Sequence, residues 1–244
     1  MSLYKGKNAV EYDNFHRYVC YVLPHEVKNA LTCLCGGLSI LSSRLDLDGS
    51  PYSKDANDLH KATLDMVNRI VRLLTAMKIS DNWFVLQQNW ISVDEIIANA
   101  LKILEPKIKA QTFKINIPDA MPLFRGDACL LEMALVNVID NALNYAPPDA
   151  VIEFDISLKG KFINISISDN GSGFEPGTER AIFTRFMQSA TVCNANSAGI
   201  GLAMVRLIIE RHGGTVLAAN KSRPKGACIN ICLPRSLCLS HNAI

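Results

Sequence analysis

The sequence predicts an α+β protein in two parts: an N-terminal antiparallel helical hairpin that forms a four-helix bundle in a dimer, followed by an α/β sandwich. Three observations predict it. Apolar residues recur every three or four positions from Cys20 to Met77. Turn formers (Asp48, Gly49, Ser50, Pro51) interrupt that recurrence once. Beyond residue 90, short alternating segments take turns with helical ones, the pattern of a sheet covered by helices.

In the hairpin, Cys20, Leu23, Val27, Leu31, Leu34, Leu38, Leu41 and Leu45 trace an amphipathic stripe of period near 3.6. The run 46–58 is the turn. Leu59, Thr63, Met66, Ile70, Leu73 and Met77 then keep the four-three alternation of a coiled-coil seam. One hairpin holds too little core to stand alone, so a second copy is expected to complete it; the alternative is packing on the chain's own second part. Expected boundaries are 1–80 for the hairpin, 81–89 for a linker, 90–236 for the sandwich and 237–244 for a tail.

In the second part, Val93–Leu104 reads as a helix opened by a Ser92/Glu95 capping box. Phe113–Ile117 alternates like a strand, and Ala128–Leu143 is an apolar helix. Strands are expected at Val151–Ser157, Phe162–Ser168, Thr215–Ala219 and Ala227–Leu233, with a helix from Gly201 to His212 stopped by Gly213-Gly214.

Composition excludes several classes. With 49% hydrophobic and 20% charged residues, the 244-residue chain is not disordered as a whole. Lys and Arg number 25 against 23 Asp and Glu, a net charge of +2, which argues against a nucleic-acid partner. No apolar run approaches the ~18 residues of a membrane span, and Met1–Lys7 lacks the apolar core of a signal peptide. Of the eight cysteines, Cys33 and Cys35 point to different helix faces, and Cys228 and Cys232 share a strand face with no His beside them. They read as reduced, packing thiols.

Four features carry possible chemistry. Asn137 and Asn141 sit four apart on one helix face among apolar neighbours; such amides either cap a neighbour or serve as oxygen ligands for Mg²⁺ or phosphate-bound water. Asp169-Asn170-Gly171-Ser172-Gly173 follows a strand directly and is either a plain turn or a close approach for a ligand. Gly199-Ile200-Gly201-Leu202 opens a helix, where free amides and the helix dipole favour an anion, yet no Walker lysine follows. Finally, His25 lies about 160° around its helix from Val27, away from the leucine stripe, with Asn29 one turn on.

Taken in order, the asparagine pair, the Asp-x-Gly-x-Gly turn, Phe183…Phe186 and the Gly-x-Gly-Leu turn resemble the four boxes of the sensor histidine kinase ATP-binding domain, a fold shared with gyrase and MutL. The resemblance runs from about Trp90 to Pro234 and includes His212-Gly213-Gly214. Pro24-His25-Glu26-Val27-Lys28-Asn29 resembles that family's phosphoacceptor box.

The resemblance implies an ATP:protein-histidine phosphotransferase of a two-component system. His25 would be the nucleophile, Glu26 would accept its second ring proton, and Asn29 would orient water in a reverse, phosphatase reaction. Asn141, supported by Asn137, would ligate Mg²⁺ beside ATP. Asp169 would accept from the adenine amino group and Tyr145 would flank the base. Gly171, Gly173, Gly199, Gly201 and Leu202 would shape the pocket, under a lid at Met187–Ala198. The implied partners are a second copy and a response-regulator receiver domain, with no nucleic acid and no membrane span in this chain. The implied location is cytoplasmic, as a whole protein or as the cytosolic part of a larger sensor.

Departures from the family pattern bear on strength. Asn144 stands where a Lys or Arg is usual, Ser197 where a Gly is common, and the lid carries no Lys or Arg. Each missing cation forgoes a charge-assisted contact of ~1.5–3 kcal/mol, so weak ATP binding is expected. The usual proline five residues after the histidine is replaced by Ala30, while Pro24 precedes His25. A degenerate phosphotransferase or phosphatase is the alternative reading. A hydrolytic ATPase is disfavoured, because Asn137 occupies the position where gyrase-like enzymes place a water-activating Glu.

Overall fold

The computed structural model describes residues 23–81, 84–119, 121–184 and 200–235. The chain divides into two compact units, Met1–Phe84 and Val85–Ile244.

The first unit is an αα-hairpin of α1 (Leu23–Leu47) and α2 (Ser53–Ser80). The turn is built from local hydrogen bonds. Gly49, at φ +62°, lets the Ser50 amide reach the Leu45 carbonyl (3.0 Å) and its own amide reach Asp46 (3.2 Å), a Schellman stop. The Asp46 carboxylate accepts from the Asn57 amide (3.0 and 3.1 Å) and from the Ser53 hydroxyl, and those bonds hold its pKa below the usual carboxylate range. Asn57 also accepts from Ser42. Among the described side chains of α1, Cys35 and Ser42 are buried, one on each side of the half-buried Leu38. Leu34, Leu41, Leu59, Met66, Leu73 and Met77 are exposed, so much of the expected seam faces out of the hairpin.

One expectation changes here. From Glu26 to Leu47, α1 is long and apolar enough to cross a bilayer by length and composition, at mean hydropathy 1.2. Thr32, Ser39, Ser42 and Ser43 interrupt the apolar run, but no charge falls between Lys28 and Arg44.

The second unit has two sheets. A ribbon pairs β1 (Asn89–Ile91) with β3 (Phe124–Gly126), antiparallel. The main sheet, ordered β2-β4-β5-β7-β6, comprises β2 (Thr112–Asn116), β4 (Val151–Lys159), β5 (Phe162–Ser168), β6 (Thr215–Ser222) and β7 (Lys225–Pro234). Only β2 and β4 run parallel. The helices are α3 (Val93–Leu104), α4 (Ala128–Tyr145) and α5 (Ile200–Arg211).

Strand alternation sorts the sheet's two faces. Ile152, Phe154, Ile156, Ile163, Ile165, Ile167, Ile229, Ile231 and Leu233 are buried at every second position. Ile165, Ile231 and Leu233 meet Ile96 from α3, Leu131, Ala134 and Leu135 from α4, and Ile209 from α5. Each such side chain contributes roughly 1.5–3 kcal/mol on burial. This core fixes α4 and α5 against the strand ends that follow β5.

The Ser92/Glu95 capping box does not form as expected. Ser92 is the N-cap of α3, but its hydroxyl bonds the Asp94 carboxylate instead of a helix amide. Asp94, two positions on, is a nearer acid than Glu95, and that contact wins. Among the described residues, five cysteines are free thiols and no group of three metal-ligating side chains occurs.

Candidate functional site

The site grows from α4. Asp127 starts the helix: its Oδ1 accepts from the Leu130 amide (3.2 Å), and its Oδ2 accepts from the Gln87 amide (3.0 Å). Asn137, Asn141 and Tyr145 follow at four-residue steps along one face. Asn137 is 4% exposed; its amide nitrogen donates to the Met133 carbonyl at 2.8 Å. Its Oδ1 is buried and has no partner among the described residues. An orphaned buried acceptor costs roughly 1–3 kcal/mol, so this oxygen is poised for a donor or cation from outside the chain. Asn141 is half-buried, and Tyr145 is 40% exposed. Asp140, between Asn137 and Asn141 in the chain, is buried and paired with Lys107 at 2.7 Å.

The start of α5 lies over Asn137. A Cβ on Gly201 would fall 3.2 Å from the Asn137 Oδ1, so glycine lets the start of α5 pass this close to that oxygen. Leu202, next along, is half-buried.

The turn after β5 supplies the other wall. Asp169, 9% exposed, accepts at Oδ1 from the amides of Gly171 (2.8 Å) and Ala227 (3.1 Å). Those bonds aim the carboxylate and leave Oδ2 as its open acceptor. Gly171 abuts the end of α4, where a Cβ would lie 3.1 Å from the Ala146 Cα and 3.4 Å from the Tyr145 carbonyl. The structure therefore brings Asn137 to Gly201 and, through Gly171, the Asp169 turn to the end of α4, with Asn141 midway between Asn137 and Tyr145 on the same helix face.

Two residues that carry this wall are not visible as motifs. Asn220, on β6, accepts from the Phe174 amide (2.6 Å) and donates to the Phe174 carbonyl (3.0 Å), clamping the turn as it leaves Gly173. Gly173, at φ +80°, would set a Cβ 2.6 Å from the Asn220 Oδ1. Gly226, on β7, passes so close that a Cβ would stand 1.9 Å from the Asp169 carbonyl oxygen.

The remaining expectations separate. Gly199, Phe186, Ser197 and the expected lid lie outside the described residues, as does the His25 side chain, although its backbone is within α1. Glu26 and Asn29 are exposed on α1. Asn144 is exposed at the end of α4.

The donor set suits a nucleotide with its metal. Asn137 Oδ1 and Asn141 offer neutral oxygens of the hard kind that Mg²⁺ takes alongside its waters. Asp169 Oδ2 suits an amino group, and the Tyr145 ring suits a flat base. Residues 126–237 match the histidine kinase-, DNA gyrase B- and HSP90-like ATPase family, and the match spans all three walls. Over 232 residues, 95% of this chain, it is 31% identical to Sensor protein KdpD of Escherichia coli K12. The second unit carries a domain of the histidine kinase-like ATPases.

The chain spans 26% of the length of that KdpD relative. Among solved structures, the mycobacterial sensor histidine kinase MprB aligns at TM-score 0.55 and 25% identity, covering 60% of this chain and 98% of that one. The histidine kinase AdeS of Acinetobacter baumannii aligns at TM-score 0.63 over 86% of this chain and 97% of that one; at 17% identity it speaks for the fold alone. The α+β architecture of helices followed by a mixed sheet is thus the histidine kinase one, and the sandwich is an ATP-binding domain.

Proposed function

We infer that this chain binds Mg·ATP between α4, the turn after β5 and the start of α5, and transfers the γ-phosphoryl group to His25. The observation that carries the reading is the buried, unpartnered Asn137 Oδ1 facing Gly201, on the same helix as Asn141 and one wall away from the aimed Asp169 carboxylate.

Asp169 Oδ2 reads the adenine amino group, and Tyr145 borders the base. Gly171 and Gly173 let the backbone approach. Gly201 and Leu202 form the phosphate end, to which the family pattern also assigns Gly199. Asn141, backed by Asn137, would hold Mg²⁺, which would supply positive charge against the phosphates. Asn137 has no basic atom, so this pocket cannot activate water as a carboxylate there would. The acceptor is then the neutral His25 ring: a P–N bond forms as the bond to the ADP oxygen breaks, and the second ring nitrogen gives its proton to Glu26.

Two partners follow. The outward residues Leu34, Leu41, Leu59 and Met66 suit a second copy, giving a four-helix dimer. A receiver-domain aspartate would take the phosphoryl group from His25, with Asn29 orienting water for the reverse hydrolysis. The core would lie on the cytoplasmic side of a longer sensor.

Incubation with Mg·[γ-³²P]ATP tests the reading. The expected label is acid-labile, stable in base, and absent in His25→Gln. Label that persists in His25→Gln, or phosphate release unaffected by that change, would overturn it.

A further inference from the structure

His212 fastens the end of α5 to the start of α4. Its Nε2 lies 3.0 Å from the Asp127 backbone nitrogen, and its Nδ1 lies 2.8 Å from the Ile208 carbonyl oxygen. An amide nitrogen only donates and a carbonyl only accepts. Together they select one state of the ring: neutral, with its proton on Nδ1.

The residue gripped is the N-cap of the helix that bears Asn137 and Asn141. Asp127 is itself engaged through both carboxylate oxygens, to Leu130 and Gln87. At the other end of α5, Gly201 lies against Asn137. The two helices are therefore antiparallel and pinned at both ends, with Met204, Val205 and Ile208 buried along α5. A slide of one residue along the axis is ~1.5 Å. With only 3.2 Å between the Gly201 Cβ position and Asn137 Oδ1, such a slide remakes the pocket wall.

We propose that neutral His212 is a positioning residue, a clasp holding α5 in the axial register the nucleotide pocket needs, and that protonation of Nε2 opens it. The proposal rests on reading that pocket as a nucleotide site. Protonated Nε2 would meet the Asp127 amide donor to donor. Burial pushes the ring's pKa below the ordinary histidine value, while the Ile208 carbonyl and the Asp127 carboxylate oppose that shift. From α4, Asp127 is the charged group acting on the ring. On α5 itself stand Arg211 and Glu210, the latter paired with Arg206 at 2.7 Å. From β6, β7 and the short helix Ala181–Phe183, no charged group among the described residues shifts the ring.

The test compares Mg·ADP affinity of the whole chain at about pH 7.5 and about pH 5.5 for the wild type, His212→Gln and His212→Asn. In His212→Gln the side-chain oxygen can accept from Asp127 and does not titrate; in His212→Asn the amide stops short of Asp127. The titration of ADP itself cancels between proteins. The wild type should lose about fivefold to tenfold more affinity in acid than His212→Gln, and His212→Asn should be weak at both pH values. Equal pH dependence in wild type and His212→Gln overturns the clasp. So does an imidazole nitrogen spectrum of the wild type showing a cationic or Nε2-protonated ring near pH 7.5, a readout that stands even if a variant fails to fold. If no Mg·ADP binds at any pH, the nucleotide reading fails. The clasp is then decided by the Asp127 amide protection factor, which should fall in acid in the wild type and hold in His212→Gln.

Discussion

Gly201 sits where a Cβ would come within 3.2 Å of the Asn137 side-chain oxygen, so the start of α5 covers an acceptor that no described residue satisfies. That closeness gives the first prediction. Gly201→Val should fill the gap over Asn137 and reduce Mg·ATP affinity at least tenfold, measured by titration calorimetry. The urea midpoint should move little, because Gly201 is only half-buried.

Gly226 is a stricter case. A Cβ there would stand 1.9 Å from the Asp169 carbonyl oxygen, and backbone cannot yield as a flexible side chain does. Gly226→Ala should cost about 3 kcal/mol or more, read from chemical denaturation.

Asn220 holds the turn through Phe174 by two backbone bonds. Asn220→Ala should cost about 1–2 kcal/mol of stability and weaken nucleotide binding severalfold, because the turn that presents Asp169 loses its clamp. Denaturation and titration of the same variant separate the two effects.

His212 makes folding itself acid-sensitive. Its pKa is depressed in the folded state chiefly by burial, against an ordinary value of about 6.5. Between the folded and unfolded values the unfolded chain binds more protons, so stability rises with pH. The contribution is full above about pH 6.5 and is lost as pH falls toward the folded pKa. Urea midpoints across that window should drop in acid for the wild type and flatten in His212→Gln.

The hairpin's outward seam predicts its assembly. Met66 is 60% exposed in the single chain. Met66→Lys should place like charges across the seam and shift the sedimentation mass from dimer toward monomer, while circular dichroism stays helical.

Much of this was legible in the sequence, for physical reasons. The asparagine pair declared its shared face because helical spacing is fixed, and the turn after β5 was legible because Phe162–Ser168 alternates without a break. The boundaries of α3 and β5 agree with the reading residue for residue. The long-range partners were not legible. Asn220 lies 46 residues from Phe174, and His212 lies 85 from Asp127; neither pair shares a local motif. Gly226 is demanding only because the register sets Ser168 opposite Cys228 and so runs the strand past Asp169. The β1–β3 ribbon, three residues on each side, is too short for alternation to declare it.

The account stands on a nucleotide read by the Asp169 carboxylate, and one comparison tests it most directly: calorimetric titration of Mg·ADP into the wild type and Asp169→Asn. The variant keeps an Oδ1 to accept from Gly171 and Ala227, and turns the open acceptor into a donor. Saturable binding weakened at least about tenfold by this change is the predicted result. Undiminished affinity in Asp169→Asn, or no binding to the wild type, would contradict it.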